Sequence, residues 1–258
     1  MTLTFLGTSD GHTRRGRQHS GLLVSDEGGT MLVDAGADVP QFLLAHRLPT
    51  EVPTSLYLSH LHSDHTAHLG ALFQHLWLQK RSAPLTVYAP AGVRRILEPW
   101  LVHSLLFPGL LPFPVNWHDL QAGAATDTSL GTLTPIATTH LARLRERFAE
   151  THPTACFDCY GLALKSERRR LIVSSDLGAA HDLAPMLDKP TDVLIVEMAH
   201  FSAEDLVEEL KEHEVRQVWL THYADELPAR LGEIQKLAVK AGFAGEIAVA
   251  TDGLEVAV

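Results

Sequence analysis

The chain is poor in cysteine and in positive charge, and it lacks any long apolar run. Its two cysteines, Cys156 and Cys159, are spaced C-x2-C. One such pair without a second Cys or His pair is not a structural zinc site, and it makes no disulfide framework. Two small apolar side chains near a strand is the preferred reading, with a redox couple as the alternative. This cysteine usage fits a reducing compartment, so a cytoplasmic location is expected. Lys and Arg number 21 against 31 Asp and Glu, a formal charge of −10. Proteins that hold a long nucleic acid by its phosphates present a basic face, so that partner is disfavoured. A small phosphate ester needs only local positive charge and stays open. The most apolar stretch, Leu101–Val115, is broken by Pro108, Pro112 and Pro114, so no membrane span is expected. Met1–Leu6 alternates like a strand rather than reading as a secretory leader. The 258 residues, 45% hydrophobic, suffice for one sizeable core, and a single domain over residues 1–258 is expected.

What the chain does have is histidine, 16 in all, concentrated in Ser59-His60-Leu61-His62-Ser63-Asp64-His65. The run Ser55-Leu56-Tyr57-Leu58 before it reads as a buried strand. Asp64–Lys80 after it carries Leu69, Leu72, Phe73, Leu76 and Trp77 at helical spacing, with Ser63 or Asp64 as N-cap. Three imidazoles and a carboxylate therefore share one strand-to-helix turn. These are ligands that zinc, iron and manganese accept. His60 and His62 are two apart and point to one side of an extended segment, while Asp64 and His65 lie past the bend. That spacing suits two ions about 3.5–4 Å apart sharing a water. A solvated polar loop is the bland alternative, and the internal position after a strand argues against it.

Strands and helices alternate along the rest of the chain, which by itself predicts α/β. Thr2–Leu6 is a strand leading into Gly7-Thr8-Ser9-Asp10-Gly11, a glycine-bracketed loop of the kind that approaches ligands. His12, Arg14, Arg15, Arg17 and His19 follow, either as local positive charge for an anionic substrate or as a solvated loop. Gly21–Ser25 and Thr30–Val33 read as a hairpin, Asp38–Arg47 as a helix, and Leu85–Ala89 as a strand. Ala91–Leu106 reads as a helix that Pro99 breaks. Leu106–Pro114 is an apolar lid, a homodimer contact or core. Arg143, Arg145 and Arg147 lie in an insertion, Leu141–Thr151, with a solvated helix the better prior. Tyr160–Lys165 and Arg170–Ser174 form a second hairpin. Val193–Glu197 is a buried strand before His200, and Ser202 caps a helix with Leu206, Val207 and Leu210 on its apolar side. Arg216–Leu220, Glu246–Ala250 and Leu254–Val258 are strands, and Pro228–Ala241 is a helix.

His60-x-His62-x-Asp64-His65 resembles the signature motif of the metallo-β-lactamase fold, and the resemblance extends over essentially the whole chain. It implies an αββα sandwich of two packed mixed sheets flanked by helices, with two divalent ions, zinc first and manganese or iron as alternatives. By the same resemblance His60, His62 and His140 hold one metal, Asp64, His65 and His222 hold the other, and Asp176 bridges them. His152 is the weaker candidate for the third-motif ligand. Asp34 would support the metal site without binding metal. The implied activity is hydrolysis by a metal-bridging hydroxide, with Asp64 assisting the water.

Within the family, three features resemble the ribonuclease Z-like group and the phosphodiesterase of the carbon–phosphorus lyase pathway. They are Phe5-Leu6-Gly7-Thr8, the aspartate at 176, and His200 between a strand end containing Glu197 and a helix. The ending Thr251–Ala257 resembles that phosphodiesterase too. A histidine general acid suits a poor alkoxide leaving group, which gives His200 its expected role, against a structural histidine at a helix start. The protruding arm with which ribonuclease Z grips tRNA has no counterpart among these short loops. A small or medium phosphodiester is therefore the expected substrate. A lactonase or thioesterase on the same site, or a metal-dependent sensor of a phosphate ligand, are the alternatives.

Overall fold

The computed structural model describes residues 1–258, and the chain divides into two compact units: Met1–Gln121 with Asp252–Val258, and Ala122–Thr251. The first unit holds β1 (Thr2–Gly7), β2 (Gly21–Asp26), β3 (Gly29–Val33), α1 (Val39–Ala45), β4 (Ser55–Tyr57), α2 (Ser63–Thr66), α3 (Leu69–Leu78), β5 (Leu85–Pro90), α4 (Val93–His103) and β6 (Val115–Leu120). The second holds β7 (Thr126–Thr128), β8 (Gly131–Ala137), α5 (Ala142–Phe148), β9 (Tyr160–Lys165), β10 (Arg170–Val173), a single 3-10 turn at Ala180–Leu183, β11 (Thr191–Glu197), α6 (Ala203–Leu210), β12 (Val215–Thr221), α7 (Leu227–Ala241) and β13 (Glu246–Val249). The last strand, β14 (Glu255–Ala257), returns to the first unit, where it pairs antiparallel with β1.

Each unit contains one seven-stranded mixed sheet, in the orders β14-β1-β2-β3-β4-β5-β6 and β7-β8-β9-β10-β11-β12-β13. The first four strands of each order pair antiparallel and the last four pair parallel. The central parallel strands are apolar, as expected for strands covered on both faces: Met31, Leu32 and Leu56 are fully buried in one sheet, and Ile172, Leu194 and Leu220 in the other. Asp34, His60, Asp176, His200 and His222 all follow the carboxyl ends of these parallel strands, where open α/β sheets bind ligands, while His140 follows the antiparallel strand β8.

Local chemistry explains the helices. Asp38 caps α1 by accepting from Gln41 N, and α4 buries Val93, Leu97 and Leu101 at i, i+4 and i+8. Ser202 and Asp205 form a capping box at the start of α6. Gly242, at φ 89°, ends α7 in the left-handed conformation that glycine adopts without strain. Arg81 is fully buried in the first unit. Its guanidinium donates to the carbonyls of Thr50, Ala83 and Pro84 and lies 5.6 Å over the Phe113 ring, so its donors are satisfied by backbone.

Several expectations need correction. Pro99 does not break a helix. It lies within α4, where a proline loses one backbone hydrogen bond that the buried apolar face outweighs. The expected helix from Asp64 to Lys80 is two: α2 ends at Thr66, and His68 bends the chain so that its N–H bonds Ala35 O before α3 begins. The polar strand β6 and the three-residue strand β7 carry no apolar alternation and escape a periodicity reading. In Leu106–Pro114, Leu106 and Phe113 are core while Phe107 and Leu110 are exposed. No helix is long and apolar enough to cross a membrane.

Candidate metal centre

The first unit presents four of the expected ligands in one turn between β4 and α2. His60 and His65 are buried, and the ring centroids of His60 lie 4.7 Å from His62 and 4.2 Å from His65. Asp64 Oδ2 lies 3.5 Å from His65 Nε2. Asp34 organises the turn from beneath. It follows β3 at φ 58°, a conformation uncommon for a non-glycine residue and frequent at functional sites. Its Oδ1 accepts from Ser59 N, and its Oδ2 accepts from Ser59 Oγ and lies 2.8 Å from His65 Nδ1. A carboxylate only accepts, so His65 carries its hydrogen on Nδ1. Ser59 Oγ gives its own hydrogen to Asp34, so the 3.0 Å contact with His60 Nδ1 is an imidazole donating to the hydroxyl. Both rings are therefore fixed in the tautomer whose Nε2 can ligate a cation.

Gly36 completes the support. A Cβ there would lie 1.7 Å from Asp64 O, so the chain passes under the ligand turn only with glycine. The glycine-bracketed loop after β1 also reaches the site, since a Cβ on Gly11 would lie 3.3 Å from Asp64 Oδ2. Asp252 anchors that loop, accepting from Thr8 N, Thr8 Oγ1 and Gln18 N. Two of its three arginines, Arg14 and Arg17, are engaged within it. Arg14 forks onto Asp10 at 2.8 and 2.6 Å, and Arg17 donates to Thr8 O at 2.7 Å. Burial alone would raise the Asp10 pKa, but the Arg14 hydrogen bond and charge outweigh it and hold it below the usual carboxylate value.

The second unit presents its residues from separate strand ends. His140 follows β8, Asp176 follows β10, and His222 follows β12. Asp176 Oδ2 lies 3.5 Å from His140 Nε2 and Oδ1 lies 3.5 Å from His222 Nε2, so its two oxygens face different imidazoles. Ser175, at φ 51°, and His222, at φ 49°, repeat the left-handed backbone seen at Asp34. His200 sits beside both histidines, its ring centroid 4.7 Å from His140 and 6.1 Å from His222. The buried Glu197 holds it: Oε1 lies 2.8 Å from His200 Nδ1 and accepts from Leu177 N, and Oε2 accepts from Ala199 N and His200 N. His152 is exposed at the end of α5, its ring near Phe148 rather than these residues. No residue of α5 is buried, and Arg145 pairs with Asp158 outside the helix. Cys159 is buried with Sγ 3.5 Å from Asp176 O, and burial pushes the half-buried Cys156 thiol up.

The histidines and aspartates were visible in the sequence, but Ser59 and the bracing role of Glu197 were not. Their signal is position: Ser59 directly precedes a ligand, and Glu197 ends a strand three residues before His200.

Residues 30–223 match the family model of the β-lactamase superfamily domain. Among curated proteins, a ribonuclease Z of Methanosarcina acetivorans is 33% identical over 98 residues, 38% of this chain and 32% of that protein. The chain thus spans well under two thirds of the curated relatives it matches. The structure resembles the metallo-β-lactamase fold protein YhfI from Bacillus subtilis, with TM-score 0.73, 20% identity, and coverage of 99% of this chain and 98% of that one. It also resembles a diphosphatase from the PhnP family, with TM-score 0.70, 17% identity, and coverage of 100% and 97%. These likenesses show the metallo-β-lactamase fold that the sequence led us to expect.

Proposed function

The chain belongs to the β-lactamase superfamily, and on that premise we propose that it is a metal-dependent phosphodiesterase acting on a small or medium phosphodiester. In this reading residues 1–258 work as one functional domain, and the ligand sets of the two units serve two divalent ions, zinc first among them. His60, His62, His140 and Asp176 hold one ion, and Asp64, His65, Asp176 and His222 hold the other. The donor set fits: imidazoles fixed with Nε2 able to ligate, carboxylates, and no thiolate among them. Such ions, when bound, acidify water and stabilise negative charge developing on phosphoryl oxygens.

The protein's own groups supply the rest. Asp64 accepts the proton of the attacking water. His200 is the general acid. With Nδ1–H donated to Glu197, it presents Nε2 toward the leaving group and gives up that proton as the P–O bond breaks. Glu197 stabilises the protonated ring and keeps its orientation, since its three other acceptor contacts are all to backbone N–H groups. A structural histidine at a helix start needs no such brace. The placement of this braced imidazole beside both His140 and His222 is the observation that carries the reading.

The test is turnover of bis(p-nitrophenyl) phosphate and of an alkyl phosphodiester by the zinc- or manganese-loaded protein and by His200→Ala. The parent cleaves both. The variant loses about 10²–10⁴-fold on the alkyl ester and far less on the nitrophenyl ester, whose leaving group needs no proton. An inactive, metal-loaded parent that cleaves lactones or thioesters instead sinks the assignment.

A further inference from the structure

His140 and Asp176 come from strands that do not pair. β9 lies between β8 and β10 in the sheet and pairs with both, so no ladder bond joins the two segments directly. His140 and Asp176 lie beyond the ends of these ladders, and further ties help to hold His140 Nε2 at 3.5 Å from Asp176 Oδ2. Thr138 Oγ1 makes one tie, donating to Asp176 O at 2.8 Å. Cys159 makes a second, its carbonyl accepting from Thr138 N and its Sγ lying 3.5 Å from Asp176 O, and the third is Asp182, on the single 3-10 turn at Ala180–Leu183. Its Oδ2 accepts from Thr139 N at 2.9 Å and from Gly178 N at 2.8 Å, and its carboxylate also accepts from Thr139 Oγ1 at 2.9 Å. One carboxylate thus joins the residue before His140 to the residue two beyond Asp176. The turn is itself fixed, because Ala180 and Leu183 are buried.

The Gly178 bond, four residues away, is what any local cap would make. The Thr139 bonds span 43 residues and serve no local purpose. The approach of the segments is also tight: a Cβ on Gly178 would lie 2.1 Å from Thr139 Oγ1 and 2.8 Å from Thr139 C. We propose that Asp182 is a positioning residue that sets the spacing of His140 and Asp176 by clamping Thr139 to Gly178, and so tunes the affinity of the ion that His140 helps to hold. This inference rests on the metal reading above. Asp182 touches neither ion nor substrate in it, and acts through the backbone on each side of the gap.

The experiment titrates zinc into the metal-free protein against a chromophoric chelator, comparing the parent, Asp182→Ala, Thr139→Val and the distant core variant Ile234→Val. Thermal unfolding of each metal-free form runs alongside. The parent is expected to bind two ions. Asp182→Ala is expected to weaken one of them about 10–100-fold, the size of effect that partners of metal ligands produce, and to move the other much less. Thr139→Val keeps the backbone donor and should show a smaller loss of the same ion. Ile234→Val should lower the unfolding temperature and leave both affinities unchanged. If Asp182→Ala binds both ions as tightly as the parent, or weakens both equally as a loosened fold would, the clamp is overturned while the metal reading stands. If Asp182→Ala does not fold, Thr139→Val decides, and unchanged affinity in it overturns the clamp. A parent that binds no zinc overturns both.

Discussion

Asp34 follows β3 and Asp176 follows β10, corresponding strands of two sheets built to the same plan, yet the two carboxylates do different work. Asp34 is taken up by Ser59 and His65 and braces ligands that all lie in one turn. Asp176 is turned to His140 and His222, one oxygen toward each, and is the ligand we propose between them. The brace in the second unit has moved one strand along to Glu197, and it holds His200 instead of a ligand. A carboxylate on Nδ1 is thus found in both units, and in the proposed mechanism it prepares one imidazole for a cation and the other for a proton. The lesson is that the position after a strand fixes where a carboxylate can act, while the next loop decides what it acts on.

Removing Asp176 should break this comparison most severely. Asp176→Ala withdraws a ligand from both proposed ions, so its loss of turnover should exceed the roughly 10²–10⁴-fold expected for losing the general acid alone. Metal content by elemental analysis should fall well below that of any single-histidine variant. An Asp176→Ala protein that retains two ions would remove the bridging role.

These contrasts also explain what the sequence could disclose. Four candidate ligands of the first unit lie within six residues of one another, between an apolar strand and an apolar-faced helix, so spacing alone points to metal. His140, Asp176 and His222 are spread over more than eighty residues, and each looks like any polar residue at a strand end. Only the resemblance to a known family picked them out. The sheets were legible where apolar strands are buried, as at Leu85–Ala89 or Val193–Glu197, and illegible at the edges, where β6 and β7 are polar. Pro99 misled because its propensity cost is smaller than the apolar burial of Val93, Leu97 and Leu101. The bonds of Ser59 to Asp34, of Asp182 to Thr139 and of Glu197 to Leu177 were hidden because a hydrogen bond across 20 or more residues leaves no local pattern.

A gentler pair of variants sharpens the comparison. Asp34→Asn and Glu197→Gln keep size and some acceptor capacity, but each can turn an NH2 toward an imidazole Nδ1. The ring must then accept, which moves its hydrogen to Nε2. On His65 that tautomer cannot ligate, so Asp34→Asn should weaken zinc binding about 10–100-fold. On His200 it still carries a proton on Nε2, but the imidazolium loses its counter-charge. Glu197→Gln should therefore keep both ions, lower turnover of an alkyl ester by up to about 10²-fold, and shift the basic limb of its pH profile downward. Equal metal loss in the two variants would show that the braces have the same role after all.

The smallest effects should come from the arginines flanking the two ligand sets. Arg14 and Asp10 in the first unit are 17% and 9% exposed, whereas Arg145 and Asp158 in the second are 54% and 36% exposed. Solvent screens the second pair, so Arg145→Gln should leave stability within about 0.5 kcal/mol of the parent. Asp10 has its pKa lowered in the folded protein from 3.8, so its pairing adds stability that is fully present above that value and is lost as pH falls through the folded value. Arg14→Gln should therefore unfold at a lower temperature than the parent at pH 7. The gap should narrow as unfolding is repeated at pH values falling below 3.8 toward pH 3, while the Arg145→Gln curve follows the parent throughout. A gap for Arg14→Gln that is the same at both pH values would mean that the side chain stabilises the loop by packing and not by its charge on Asp10.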